Sequence, residues 1–79
     1  MSNRFPAASY KDVARVAKTL GFYLCRHASG SHEVWRRERD CRQTTIPNHG
    51  KKILKRKTLK AIMGDLCVSA EEFIKIKNN

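Results

Sequence analysis

The chain has 79 residues, with 17 Lys and Arg against 7 Asp and Glu, and its formal net charge is +10 at pH 7. A single domain of this length buries only about 60% of the surface that its unfolded chain exposes, which argues against a two-domain cleft or a large active-site chamber. So much positive charge on a small surface favours a polyanionic partner, above all nucleic acid, and no apolar run approaches the roughly 20 residues that a membrane span needs.

The three cysteines, Cys25, Cys41 and Cys67, are an odd number without close spacing. Such a set argues against a disulfide framework and suits a reducing compartment, so we expect a soluble, cytoplasmic protein. Zinc sites use paired ligands at fixed short spacing, and the chain has neither a C-x-x-C nor an H-x-x-x-H pair. We therefore expect neither a metal nor another cofactor.

The whole chain, 1–79, is predicted to form one domain. Residues 1–8 lack periodicity and contain Pro6, which predicts a loose leader. The folded core is expected at 9–76, followed by a frayed tail at 77–79.

A first helix of about three turns is predicted to follow Ser9. Ser9 and Asp12 suit the capping positions at its start, and Gly21 suits its end. Its apolar residues repeat at the spacing of one helical face and are Val13, Val16, Ala17 and Leu20.

Three short strands are predicted next, at 22–27, 31–37 and 42–46, because aromatic and β-branched residues concentrate there between turn-forming residues. Pro47 ends the third strand because it has no N–H to donate. Strands joined by such short turns most simply form an antiparallel meander.

Two further helices are predicted after the strands. Thr58 is the expected N-cap of the first, and Gly64 weakens that helix. Ser69 and Glu72 form an S-x-x-E capping box that begins a short last helix. The apolar face of the longer helix consists of Leu59, Ile62, Met63 and Leu66.

Amphipathic helices cannot bury their apolar faces alone, so the helices are expected on one face of the sheet. The predicted fold class is α+β, with two layers and a three-stranded antiparallel sheet. Its α-β-β-β-α order is that of double-stranded-RNA-binding domains. The opposite face of the sheet is left for solvent or a ligand.

Basic residues concentrate on the second predicted hairpin and in the connector that precedes the longer helix. Arginine binds phosphate through a two-pronged contact and lysine as a point charge. A solvated loop would explain the lysine run alone, but two clusters flanking one sheet favour a phosphate-binding groove. The candidate phosphate-binding residues of the two clusters are Arg36, Arg37, Lys51, Lys52, Lys55 and Arg56.

Two aromatic residues of the predicted sheet, Tyr23 and Trp35, are of the type that stacks on nucleic-acid bases. A single Trp in a small strand more commonly packs in the core or covers a face of the sheet. We therefore predict a packing role for Trp35.

His32 directly follows Gly30 and Ser31 at the start of the second predicted strand. Cleavage of RNA without a metal requires removal of the 2′-hydroxyl proton and protonation of the leaving 5′-oxygen, and imidazole can do either near neutral pH. Gly30 would let a phosphate approach the backbone, and Ser31 would donate a hydrogen bond to it. Spacing alone also fits a structural hairpin histidine, so both interpretations stay open. His27 and His49 are further candidates for proton transfer.

Together these motifs resemble HicA-type toxins, the small ribonuclease half of HicA/HicB toxin–antitoxin pairs. The resemblance runs from about Ser9 to Phe73. GSH alone is unspecific, whereas GSH followed by a β-branched-Pro-x-His segment and a T-L-basic-x-I helix is selective. The motifs that carry it are LGF at 20–22, GSH at 30–32, TTIPNH at 44–49, TLKAIM at 58–63 and SAEEF at 69–73.

The resemblance implies a fold like that of double-stranded-RNA-binding domains and cleavage of mRNA in the cytoplasm by an essential histidine, which corresponds to His32. It also implies a cognate HicB-type antitoxin that covers the toxin and blocks the site. Glu33 places an anion next to His32, although neighbouring residues on a strand point to opposite faces.

The leading prediction is therefore a toxin endoribonuclease that cleaves mRNA by attack of the 2′-hydroxyl. An alternative from another class is a non-catalytic module that binds double-stranded RNA by shape. A third interpretation assigns the positive charge mainly to an interface with an acidic antitoxin.

Overall fold

The computed structural model describes residues 5–79, which form three helices and three strands in the order α-β-β-β-α-α. A single 3₁₀ turn, Glu38–Asp40, joins the last two strands. The predicted α+β fold class is confirmed. The elements are α1 (Tyr10–Thr19), β1 (Tyr23–His27), β2 (His32–Arg37), β3 (Arg42–Pro47), α2 (Arg56–Leu66) and α3 (Ala70–Lys77).

The sheet is an antiparallel meander with the strand order β1-β2-β3. β2 is central, and its register with β3 pairs His32 with Pro47 and Trp35 with Thr44. Side chains alternate between the two faces of a strand, so His32 lies on the face opposite to that of Glu33 and Trp35. The helices cover the Trp35 face, and His32 is exposed on the other.

The core lies between the helices and one face of the sheet. Trp35 is only 2% exposed, which confirms its packing role. Burying a large apolar side chain fully contributes about 1.5–3 kcal/mol, so this layer dominates the stability of a small domain. The largest fully buried side chains are Trp35, Phe73, Ile46, Leu59, Leu66, Val13 and Val16.

The predicted starts of α1 and α3 are confirmed. The predicted start of α2 is wrong. Ser9 and Asp12 form the capping box of α1, and Ser69 with Glu72 forms that of α3. In α2, however, the N-cap is Lys55 rather than Thr58, and the first helical hydrogen bond runs from the Leu59 N–H to the Lys55 carbonyl at 2.9 Å.

Contacts between the end of the connector and the segment that precedes α1 explain the early start of α2. The Leu54 N–H donates to the Ala8 carbonyl at 2.9 Å, and Ile53 forms an isolated bridge with Ser9. The chain is thereby held extended up to Leu54 and turns into the helix directly afterwards. Ala8 itself is fully buried, whereas residues 1–4 of the predicted leader lie outside the described residues.

The last helix packs against α1 and extends to Lys77, where the tail was predicted to begin. β1 lies at the edge of the sheet, and all five of its residues are exposed. Among residues 5–79, no helix combines the length and the apolar character needed to cross a membrane.

Candidate functional site

The turn between β1 and β2 fixes the position of His32. The Ala28 N–H donates to the His32 carbonyl at 2.9 Å, and the His32 N–H donates to the Ser29 carbonyl at 3.2 Å. Gly30 adopts the left-handed region, with φ of 61°, and no atom of the described residues lies within 4 Å of the position that a Cβ would take. The backbone conformation of the turn therefore accounts for this glycine.

The imidazole of His32 is exposed, and one of its nitrogens is held by the turn. Its Nδ1 lies 3.2 Å from the carbonyl oxygen of Ser29. A carbonyl oxygen can only accept a hydrogen bond, so Nδ1 carries the hydrogen in the neutral ring. The lone pair on Nε2 is then free to accept a proton.

A second histidine reaches the same place from the end of β3. The Asn48 N–H donates to the Ser31 carbonyl at 2.9 Å, which continues the pairing of β3 with β2 by one step. The Asn48 Oδ1 then accepts from the Gly50 N–H at 3.3 Å. This tight turn brings the Nε2 of His49 to 3.5 Å from the Oγ of Ser31.

An open cavity of about 620 Å³ lies between the ends of β2 and β3, the connector and the first turn of α2. Its volume falls in the range of small-ligand sites. Its polar and charged lining residues are His32, His49, Lys52, Lys55, Thr45 and Thr58. A second groove of about 460 Å³ shares Thr45 and Thr58 and continues between β3 and α2.

The first turn of α2 adds positive potential to this cavity. No side chain of residues 5–79 caps the helix, whose first turn leaves backbone N–H groups without an intrahelical acceptor. The positive end of the helix dipole lies here, beside Lys52 and Lys55. The site is therefore suited to an anion such as a phosphate group.

A family model described as HicA toxin of bacterial toxin-antitoxin matches residues 10–67, well over half of the chain. The chain belongs to the HicA toxin family. The resemblance found in the sequence motifs is thereby confirmed, and the protein is a toxin of a bacterial toxin–antitoxin system, which pairs it with an antitoxin. No curated protein and no solved structure gave a significant match.

The match to the HicA family includes both histidines of the cavity, Lys52 and Lys55. Of the other predicted phosphate-binding residues, Ser31 contacts His49 at the rim, and Lys51 is exposed in the connector outside the cavity lining. Arg56 stacks its guanidinium over the ring of Phe5, 4.7 Å from the ring centre. The predicted phosphate-binding residues that line the cavity, Lys52 and Lys55, thus belong to the basic cluster of the connector.

The two adjacent arginines of this HicA toxin differ in their surroundings. Arg36 lies on the same face as His32 and pairs with Glu38 at 3.0 Å. Arg37 is buried on the other face, where it donates two hydrogen bonds to Asp40, at 3.1 and 2.8 Å, and one to the Leu20 carbonyl at 2.7 Å. Three of its five N–H donors are therefore used within the fold, and Arg37 is not among the proposed RNA contacts.

Glu33, the anion next to His32, belongs to the core side of the sheet. It is 4% exposed and accepts hydrogen bonds from Trp35 and Asn48. Burial alone would raise the pKa of its carboxyl group, but hydrogen bonds from Tyr10, Trp35 and Asn48 outweigh burial and lower the pKa below its ordinary value. Glu33 is thus a structural anion on the opposite face from His32.

The third histidine, His27, lies apart from the cavity. It pairs with Glu33 across the strands, which places it on the face opposite to that of His32. Among residues 5–79, no three His, Cys, Asp or Glu side chains come close enough to share a metal ion.

Sequence reasoning did not single out Asn48 or Thr45, and it treated Thr58 only as a helix cap. The structure places Asn48 in the turn that carries His49, and both threonines in the cavity wall. Position in the TTIPNH motif was the one available signal for Asn48 and Thr45.

Proposed function

We propose that this HicA-family toxin is an endoribonuclease that cuts mRNA by attack of the ribose 2′-hydroxyl on the neighbouring phosphate, without a metal ion. The observation that carries the proposal is the exposed ring of His32, with its Nδ1 held by the Ser29 carbonyl, at a cavity that Lys52 and Lys55 line. In this scheme His32 removes the 2′-hydroxyl proton.

The cations of the cavity would stabilise the reaction's transition state. Negative charge grows on the non-bridging phosphate oxygens as the 2′-oxygen attacks phosphorus. Lys52, Lys55 and the N–H groups that begin α2 would donate to that charge from the cavity wall. Ser31 adds a hydroxyl group at the rim.

We propose that the face of the sheet that carries His32 binds an extended RNA chain. Arg36 lies on the face of His32 four residues along β2, about 13 Å away at 3.3 Å per residue. We therefore propose that a single-stranded segment crosses this face, with one phosphate in the cavity and another near Arg36.

The test compares His32→Gln with wild type on labelled RNA, in the presence of EDTA. We expect the variant to retain RNA affinity and to lose about 10²- to 10⁴-fold in cleavage rate, the usual contribution of a general base. Products of wild type should end in a 2′,3′-cyclic or 3′-phosphate, and a 2′-deoxy residue at the cleavage site should block the reaction. The matched control is His27→Gln, which alters a histidine outside the cavity.

Equal cleavage by His32→Gln and wild type would remove His32 from the mechanism, and cleavage of all-DNA at a similar rate would contradict attack by the 2′-hydroxyl. The α-β-β-β-α order of the first five helices and strands favours a second candidate, a non-catalytic module that binds double-stranded RNA by shape. That function predicts steeply salt-dependent binding and no turnover.

We also propose that a cognate HicB-type antitoxin neutralises the toxin in the cytoplasm by covering this cavity. A net charge of +10 favours an acidic partner, and three exposed free cysteines suit a reducing compartment. Expression of the toxin alone should arrest growth, and co-expression of the antitoxin should restore it. The complex should weaken when Lys52 and Lys55 are both replaced by Gln, because both lysines line the covered cavity.

A further inference from the structure

We propose that His49 is the second proton carrier of this site and that its protonated ring donates to the 5′-oxygen as the P–O bond breaks. The inference rests on the proposed endoribonuclease function and goes beyond it by naming the general acid. Three histidines exist in the sequence, and the structure brings two of them, His32 and His49, to one cavity.

The position of His49 is fixed by its neighbours, while its ring has no role in packing. Asn48 is held by its backbone to Ser31 and by its side chain to Glu33, at 2.9 and 3.3 Å. His49 is exposed, and its ring approaches the Oγ of Ser31 at 3.5 Å. The fold therefore presents this imidazole to the cavity without needing it for stability.

The hydrogen-bond partners of the two rings differ, and this difference assigns their roles. His32 donates from Nδ1 to a backbone carbonyl, which leaves an unprotonated Nε2 in the neutral ring, as a base requires. His49 faces a serine hydroxyl, whose oxygen can accept from the Nε2–H of a protonated ring. We therefore assign proton removal to His32 and proton donation to His49.

The step is balanced without any further reagent. The 2′-hydroxyl loses its proton to Nε2 of His32, and the 2′-oxygen forms a bond to phosphorus. The bond between phosphorus and the 5′-oxygen breaks, its electron pair stays on that oxygen, and His49 supplies the proton. The products are a 2′,3′-cyclic phosphate and a free 5′-hydroxyl, and water exchanges the protons of both rings afterwards.

The experiment uses a short RNA with one cleavage site, made either with the natural 5′-oxygen or with sulfur in its place. A thiolate leaves without protonation, so the sulfur substrate does not need the general acid. We expect His49→Gln to cut the oxygen substrate about 10²- to 10⁴-fold more slowly than wild type. The same variant should cut the sulfur substrate at nearly the wild-type rate, whereas His32→Gln should be slow on both.

Several results would overturn the assignment. His49→Gln could cleave the oxygen substrate at the wild-type rate, or lose equally on both substrates, which would indicate a role in binding phosphate. Rescue of His32→Gln by sulfur would reverse the two roles. A wild-type protein that cuts neither substrate would refute the ribonuclease function itself, so the two failures are distinguishable.

Two controls test whether slower cleavage by His49→Gln results from loss of the folded structure. His27→Gln replaces the histidine outside the cavity and should match wild type on both substrates. Thermal unfolding of His49→Gln and of the second variant His49→Asn should coincide with that of wild type, because the ring of His49 is exposed.

Discussion

Asn48 donates its side-chain amide to the buried carboxylate of Glu33 across 3.3 Å and so ties the segment that carries His49 to the core side of β2. The same carboxylate accepts from the indole N–H of Trp35 at 3.2 Å and from the hydroxyl group of Tyr10. One buried anion thus connects α1, the centre of the sheet and the edge of the cavity.

Replacing Glu33 should therefore affect both stability and cleavage. Glu33→Ala leaves the N–H of Trp35 buried without an acceptor, which should lower the free energy of unfolding by about 2 kcal/mol. It also releases the side chain of Asn48, so cleavage by the folded variant should fall as His49 loses its fixed position. Urea unfolding and single-turnover cleavage measure the two effects.

The matched control for Glu33→Ala is Glu71→Ala, which changes an exposed glutamate in the first turn of α3. Its effect should stay within about 0.5 kcal/mol, and cleavage should not change. Equal stability of Glu33→Ala and wild type would contradict the structural role of the carboxylate.

Tyr10 gives the fold a pH dependence of definite sign. Burial, followed by the hydrogen bond and charge of Glu33, raises the pKa of Tyr10 from 10.0 to about 12. A group with a higher pKa in the folded state contributes its full stabilisation below its unfolded pKa and loses it as pH rises through the folded value. This contribution should therefore decline between pH 10.0 and about 12.

Absorbance of the phenolate measures this pKa directly in Tyr23→Phe, since the sequence holds two tyrosines and the variant leaves Tyr10 alone. Adding Glu33→Gln should move the pKa of Tyr10 back towards 10.0, because the negative charge of the acceptor is removed. An unchanged titration in that double variant would show that Glu33 does not hold the phenol.

Local signals in the sequence predicted the strands and the apolar helix faces, because both depend on residues close in the chain. The start of α2 was misplaced because it is set by Ile53 and Leu54 bonding to Ser9 and Ala8 near the other end of the chain. Propensity within the connector carries no information about such a distant contact.

The candidate site was predictable only in part, for the same reason. The GSH motif pointed to His32, whereas the approach of His49 depends on the register that pairs His32 with Pro47. Arg36 and Arg37 look equivalent in the sequence. They differ because they lie on opposite faces of the sheet, which leaves Arg36 at the surface and buries Arg37.

Adjacent arginines should therefore respond differently to the same substitution. Arg37→Ala removes the two-pronged contact with Asp40, whose pKa Arg37 lowers to about 2, and should reduce the thermal midpoint by roughly 10 °C. Arg36→Ala should leave the midpoint nearly unchanged, because exposed ion pairs contribute little. It should instead weaken RNA binding and reduce the salt slope of log K by roughly 0.7, the value for one single-strand phosphate contact.

Differential scanning calorimetry and binding titrations at several salt concentrations separate the two arginines. If Arg37→Ala loses RNA affinity while keeping its thermal midpoint, Arg37 contacts RNA after all, and the exclusion of this residue from the RNA surface is wrong. If Arg36→Ala binds RNA as tightly as wild type, the strand does not cross the face of the sheet that carries His32.

Moving the glycine of α2 from position 64 to position 67 should stabilise the protein. Gly64 lies within the helix, and no atom in the described part of the chain occupies the space of a Cβ there. Ala at an exposed helix position is favoured over Gly by about 0.5–1 kcal/mol. Cys67 ends the helix in the left-handed region, with φ of 60°. This backbone conformation costs a residue with a Cβ about 1 kcal/mol, and it costs glycine much less. Gly64→Ala and Cys67→Gly should therefore each stabilise the protein.

Together the two substitutions should raise the free energy of unfolding by about 1–2 kcal/mol, as measured by urea unfolding. Cleavage should not change, because neither residue lines the cavity. Gly30→Ala serves as the opposite control: space is free there too, but φ of 61° makes alanine strained, so this variant should lose about 1 kcal/mol. A stabilising Gly30→Ala would show that the turn before His32 does not hold glycine in the left-handed region.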